Sequence, residues 1–350
     1  MKRSVLLSMI GCAVFARFGT AQEAPPSKLQ PADAVLRALP SSGTSVRELS
    51  DGRVIFVMPF VAGPKPGSLL RGFIAVADMK RGKVDSIPGF PEDNLIAFAA
   101  DTSLVRSGGG WVFAKGTNVL GMLDATNPVV AAATVLIGPD SSGFVVATRH
   151  YGADSSDVVR VNRATAETEL LVRIKRNRGV PAGVPAPMYN GVKEYAVYTL
   201  SGWLGIQRTA PYRVDWRSPE GKWTLGKPIP VPALRFDARE KLAYATEQAR
   251  LQGGTPDRYL GKATEQWPDA VQPSYGGSPL ATPDGKMIVY RTPTADYPNA
   301  RYDVVNREGV AERQIMMGPN ETIVGLGAKS VYVRIGVRMS EVQLERHPWP

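Results

Sequence analysis

The residues best suited to chemistry are a small set of arginines and tyrosines with one histidine. Arg149, His150 and Tyr151 are adjacent, and Arg208, Tyr212, Arg291 and Tyr297 recur at comparable points further along the chain. Guanidinium groups hold anions or polar ligands through charge-assisted bonds, and planar groups stack on one another. The set therefore predicts a site for an anionic or sugar-like ligand. It designates no catalytic residue, so the catalytic group is left unknown. Strand ends carry solvated arginine and tyrosine without any ligand, and that reading stands beside the first. His150, alone next to Arg149, reads equally as a hydrogen-bonded surface residue, and His347 has no chemical role assigned.

Other chemistries lack their motifs. There is no Gly-x-Ser-x-Gly elbow for a serine nucleophile. Gly325-Leu-Gly-Ala-Lys-Ser has a partial glycine pattern but precedes a strand, where a nucleotide loop would precede a helix. No His-Glu-x-x-His, EF-hand loop or cysteine pair occurs. With 2 His and 1 Cys in 350 residues, neither a metal set nor a cofactor is expected. The formal charge is +10. Its densest contribution, Arg173-Ile-Lys175-Arg176-Asn-Arg178, could attract an anionic polymer or acidic partner, or be a solvated connector. Nucleic acid is not expected, because no basic helix or aromatic–basic stripe is present.

Short strands rich in Val, Ile, Tyr and Phe must position these residues, and they run through nearly the whole chain. Two series of turns punctuate them. One is tight: Ser50-Asp51-Gly52, Ala100-Asp101-Thr102, Ser141-Ser142-Gly143, Ser201-Gly202, Pro283-Asp284-Gly285 and Gly327-Ala328-Lys329. Asp-Gly suits such hairpins because its residues accept positive φ. The other is polar and is expected between third and fourth strands. It comprises Asp78-Met-Lys-Arg-Gly82, Asp124-Ala-Thr-Asn127, Asn162-Arg-Ala-Thr165, Ser218-Pro-Glu-Gly221 and Asn306-Arg-Glu-Gly309. The tight turns, at residues 51, 101, 142, 202, 284 and 328, recur at steps of 50, 41, 60, 82 and 44 residues; apart from the abnormally long step between 202 and 284, this is close to the ~40–50-residue spacing of propeller blades. That step holds a helix over residues 237–252, with Asp237 and Glu240 as a capping pattern and Gly253-Gly254 as its stop. Its expected docking face is Ala238, Leu242, Ala245 and Ala249.

These observations predict an all-β fold: a six-bladed β-propeller with a helical insert, about residues 234–270, between blades four and five. The sixth unit has three strands, so a strand within Ala34–Leu39 is expected to supply its fourth and close the ring. The loops between second and third strands then share one face with the insert. That face gathers the seven site candidates.

The N-terminus reads as a secretory signal over residues 1–21: Lys2 and Arg3, an apolar stretch at 5–16, then Gly19-Thr20-Ala21. Met9-Ile10-Gly11-Cys12 offers a competing lipoprotein reading. Cleavage after Ala21 removes the single cysteine. Pro25, Pro26 and Pro31 make residues 22–31 an extended linker, and residues 32–350 form a single domain. No later apolar run is long enough to span a bilayer.

Three stretches resemble bacterial secreted six-bladed β-propeller proteins of the TolB-like or NHL-like kind. They are Ala210-Pro-Tyr-Arg-Val-Asp-Trp-Arg-Ser-Pro-Glu-Gly with Gly226-Lys-Pro-Ile-Pro; Arg301-Tyr-Asp-Val-Val-Asn-Arg-Glu-Gly; and Ile323-Val-Gly-Leu-Gly-Ala-Lys-Ser-Val-Tyr-Val onward to Leu344-Glu-Arg-His-Pro-Trp-Pro. The resemblance implies the fold and no activity. The expectation is an exported, periplasmic or extracellular, monomeric binding module that is not an enzyme. Its partner would be a protein, a peptide or an envelope polymer. The alternative is a propeller hydrolase or lyase acting at the central channel under the helical insert.

Overall fold

The computed structural model describes residues 24–39, 46–49, 51–62, 69–87, 93–99, 102–107, 110–115, 118–123, 128–140, 142–148, 154–175, 193–252, 254–263, 267–274, 277–336 and 342–349. The signal segment 1–21, the trio Arg149, His150 and Tyr151, and residues 176–178 of the basic run lie outside them.

The chain is mostly β, a curled, propeller-like succession of antiparallel sheets. β1 (Pro26–Ser27) and β2 (Ala34–Leu39) come first. β3 (Val46–Glu48), β4 (Val54–Ala62), β5 (Leu69–Asp78) and β6 (Lys83–Ile87) form one meander. β7 (Asp93–Ala99), β8 (Thr102–Ser107), β9 (Gly110–Lys115) and β10 (Asn118–Leu123) form the next. A short helix α1 (Pro128–Ala132) leads into β11 (Ala133–Pro139), β12 (Gly143–Thr148), β13 (Ser155–Asn162) and β14 (Thr168–Lys175). The fourth unit is β15 (Tyr195–Tyr198), β16 (Leu204–Thr209), β17 (Tyr212–Arg217) and β18 (Trp223–Thr224). Then come β19 (Leu234–Arg235), α2 (Ala238–Gln252), α3 (Pro256–Ala263) and β20 (Ala270–Val271), with β19 paired to β20. β21 (Leu280–Ala281), β22 (Met287–Tyr290), β23 (Arg301–Val305) and β24 (Ala311–Met316) follow, and β25 (Glu321–Leu326), β26 (Ser330–Ile335) and β27 (Val342–Pro348) end the series.

Among the described residues both turn series fall between strands as expected; 50, 100–101, 124–127 and 141 lie outside them. In the second unit the third strand ends at Lys115 and the fourth begins at Asn118, so the step between them precedes the expected Asp124-Ala-Thr-Asn127. The expected strand within Ala34–Leu39 is β2. It pairs antiparallel with β27, Leu36 opposite Leu344.

First strands lie against one another in order: β7 on β11, β11 on β15, β15 on β21, β21 on β25 and β25 on β3, with β4 against β7. β25 and β3 are joined edge to edge as a parallel pair, Gly325 opposite Val46, while the other neighbouring sheets pack through apolar side chains. β12 is buried along its whole length, which is why Gly143-Phe-Val-Val-Ala-Thr shows no polar alternation. The interfaces are apolar. Val145, Leu171, Leu204 and Ile206 join the third unit to the fourth, and Val214, Trp216, Met287 and Val289 join the fourth to the fifth. Trp216 is fully buried, and its indole N–H donates to the Asn306 carbonyl at 2.9 Å. Gly309, at φ 76°, brings its turn so close to Gly226 that a Cβ there would lie 2.3 Å from the Gly226 Cα. Only glycine fits that approach.

The insert departs from its expected packing. Asp237 caps α2, its Oδ1 accepting the N–H groups of Arg239 (2.9 Å) and Glu240 (3.1 Å). Glu240 does not complete the capping box; its carboxylate accepts the Ala295 N–H at 2.8 Å, on the β22–β23 loop. Ala245 is buried, but Leu242 is 51% exposed, so half of the expected apolar face points outward. Tertiary anchors override the helical periodicity here. Phe236, Tyr244 and Trp267 supply another, a ring cluster with centroids 4.9–6.4 Å apart.

Candidate functional site

Of the seven sequence-predicted residues, the described ones, Arg208, Tyr212, Arg291 and Tyr297, fall on or beside two equivalent strand pairs. Arg208 stands near the end of β16 opposite Arg213 on β17. Arg291 follows β22 opposite Arg301 on β23, its N–H donating to the Arg301 carbonyl. In each pair a carboxylate lies two residues beyond the second arginine: Asp215 and Asp303.

Asp215 is wholly buried. Arg208 donates to it at 2.9 Å and to Glu194 at 2.7 Å, while Arg213 donates at 2.8 Å and the Gly226 N–H at 3.1 Å. Burial alone pushes the Asp215 carboxyl up, but the bonds from Arg213 and Arg208 outweigh it and hold the group below the ordinary range. The carboxylate is therefore ionised and its acceptor capacity is occupied.

Asp303 is likewise buried. It accepts Arg291 Nη1 at 3.1 Å, the Tyr212 hydroxyl at 2.7 Å and Gln314 Nε2 at 2.9 Å. Tyr212 belongs to the fourth unit and Asp303 to the fifth, so this cluster ties two sheets. Desolvation first, and the Asp303 charge second, push the Tyr212 hydroxyl well above its usual value, leaving it a fixed donor. The Arg291 guanidinium also donates to the Pro273 carbonyl and lies 5.7 Å from the Tyr212 ring centre. Beside it Gln207 donates to Ser274 at 2.7 Å, and Ser274 donates to the Tyr290 carbonyl.

Tyr297 is different. It is 50% exposed, on the loop that Glu240 grips, with the Arg301 guanidinium 4.6 Å from its ring centre. Arg239 at the start of α2 pairs with Asp296 next to it, and Arg250 near the end of α2 pairs with Asn320. The insert is thus fastened to two connections, 291–300 and 317–320. Arg208 and Arg291 are committed to internal carboxylates, whereas Tyr297, Leu242 and Arg239 face outward.

Asp215 and Asp303 bond strands; sequence reasoning missed Glu194, Gln207, Ser274 and Gln314. A usable signal was present: Arg-x-Asp occurs at 213–215 and again at 301–303. Glu194 and Ser274 have none, because only folding brings them in. Among the described residues no three His, Cys, Asp or Glu side chains converge as a metal set. No described helix is long and apolar enough to cross a membrane.

No protein-family model matches the sequence, and no curated protein matches it. Solved structures do resemble it. A calcium-binding protein, regucalcin, from Agrobacterium tumefaciens is 9% identical, with a TM-score of 0.47 over 93% of this chain and 97% of that one. A protein of unknown function from Dyadobacter fermentans is 9% identical, with a TM-score of 0.48 over 91% and 99%. A catalytically inactive virginiamycin B lyase from Staphylococcus aureus, with quinupristin, is 9% identical, with a TM-score of 0.44 over 89% and 98%. Likeness at this level transfers no activity.

Proposed function

We propose that this chain is an exported six-bladed β-propeller that binds a partner on the loop face carrying α2 and α3, without transforming it. The partner would be a protein, a peptide or an envelope polymer. Support for the ring is the circuit of first strands, each against the next, with β4 against β7. Support for export is Lys2 and Arg3 ahead of the apolar segment 5–16.

The observation that carries the binding reading is how the polar residues of this face are divided. Arg208 and Arg291 are spent in buried ion pairs that rigidify the strand ends. Tyr297 and Leu242 stand half exposed on segments clamped to those ends. A rigid scaffold presenting exposed aromatic and aliphatic side chains is the usual form of a recognition surface.

The test uses the chain from residue 22, immobilised and exposed to soluble envelope polymers and to periplasmic proteins. The double variant Tyr297→Ala, Leu242→Ala is expected to lose about tenfold in affinity at an unchanged melting temperature. Equal binding by the variant would remove this face from the reading. Turnover of ester, peptide or lactone substrates with a cation dependence would instead favour a hydrolase or lyase working at the central channel.

A further inference from the structure

The N-terminal segment meets the C-terminal part of the chain across two outer strand edges. β1 lies parallel to β24, Pro26 opposite Gln314. The Gln314 N–H donates to the Pro25 carbonyl at 2.8 Å, and the Ser27 hydroxyl donates to the Gln314 carbonyl at 3.1 Å. Leu29 packs on the cluster around Ile315 and Val333. The Gln30 carbonyl accepts His347 Nδ1 at 2.7 Å. Asp33 takes a two-pronged bond from Arg346, at 2.7 and 3.0 Å, on a guanidinium only 12% exposed. β2 then pairs with β27, and Leu36 is buried among Val342, Leu344 and Tyr332.

Nothing in this set of bonds requires both sides to belong to one chain. Residues 24–39 pair with residues nearly three hundred positions away, and they are followed by Pro40-Ser-Ser-Gly-Thr-Ser45, which has no large apolar side chain. Six residues span up to ~20 Å when extended. We propose that the edge formed by β24 and β27 is a receptor for this strand, and that it accepts residues 24–39 of a second copy, giving a reciprocally exchanged dimer. Every bond of the closed chain is remade in trans, so the difference lies in association entropy and in the connecting six residues. A short tether gives a high effective concentration, so the closed chain prevails in dilute solution. Exchange occurs when chains refold together at high concentration. The inference does not depend on what the loop face binds.

Two full-length charge variants, each from residue 22, test it. Asp33→Arg opposes two arginines within one chain, and Arg346→Asp opposes two aspartates. In an exchanged pair of one of each, both contacts become Arg–Asp again. Co-refolding D33R with R346D is expected to give at least about fivefold more dimer by light scattering than either refolded alone, and more than the unaltered chain. The D33R, R346D double variant should behave like the unaltered chain. If either single variant fails to fold alone, its recovery in the mixture counts for the proposal. A mixture that elutes as the sum of its separately refolded parts would overturn it. So would the absence of an interchain disulfide when V35C and E345C chains, whose positions face each other across β2 and β27, are refolded together and oxidised.

Discussion

Asp140 shows how individual side chains hold neighbouring sheets together. Its carboxylate accepts the Gly143 N–H at 2.6 Å, Arg160 Nε at 2.6 Å and the Tyr198 hydroxyl at 3.1 Å, the last from the next sheet. Burial pushes the group up, but the Arg160 and backbone bonds prevail and bring it down to about 2 from 3.8. A folded-state value below the unfolded one stabilises the protein above the unfolded value, and the contribution is lost as pH falls through the folded one. Asp140 should therefore contribute about 2 kcal/mol at neutral pH, lost between roughly pH 4 and 2. Chemical denaturation at pH 7, 4 and 2.5 measures it: Asp140→Asn should be less stable at pH 7, with the difference falling to well under half at pH 2.5. A constant difference would assign the effect to packing. Arg208–Asp215 and Arg291–Asp303 are ion pairs with a buried carboxylate. Removing one partner strands a buried charge, which typically costs 3–5 kcal/mol, so these arginines are positioning groups of the scaffold.

At the scale of elements, strands were legible and the docking of the helix was not. Hairpin turns such as Pro283-Asp284-Gly285 carry their own chemistry, so local sequence is enough to place them. The start of α2 was legible for the same reason, since an Asp N-cap acts within one turn. Which face of α2 is buried was not. Ala238, Leu242, Ala245 and Ala249 suggested one stripe, yet Glu240 is buried and Leu242 exposed, because Glu240 reaches the Ala295 N–H. A buried acid with a backbone partner outweighs one exposed leucine, and that partner lies 55 residues away. Asp237→Ala should cost about 1 kcal/mol and raise amide exchange in the first turn of α2 and in the 291–300 loop. Faster exchange confined to α2 would show that the two are not coupled.

At the scale of the molecule, the described N-terminal segment packs against the C-terminal strands. Leu36, Asp33 and Leu29 are the N-terminal side of that junction, and Leu344, Arg346 and Trp349 the C-terminal side. A chain lacking residues 22–42 should melt roughly 5–10 °C or more below one starting at 22, and an unchanged melting temperature would sink the closure argument. The need for such a strand could be read from the sequence, because the last unit has three strands and an edge must be covered. By itself the sequence determined the β class, most of the turn positions, the capped helix and the candidate arginines and tyrosines, all properties set by neighbours within a few residues. Tertiary structure alone decided the rest: that Arg208 and Arg291 are bound to Asp215 and Asp303, that Tyr297 remains exposed, that Glu240 fastens the insert, and that residues 24–33 are strapped to β24 and β27. Each of those depends on partners far apart in the chain, and local spacing carries no information about which buried acceptor a long side chain will reach once sheets are packed.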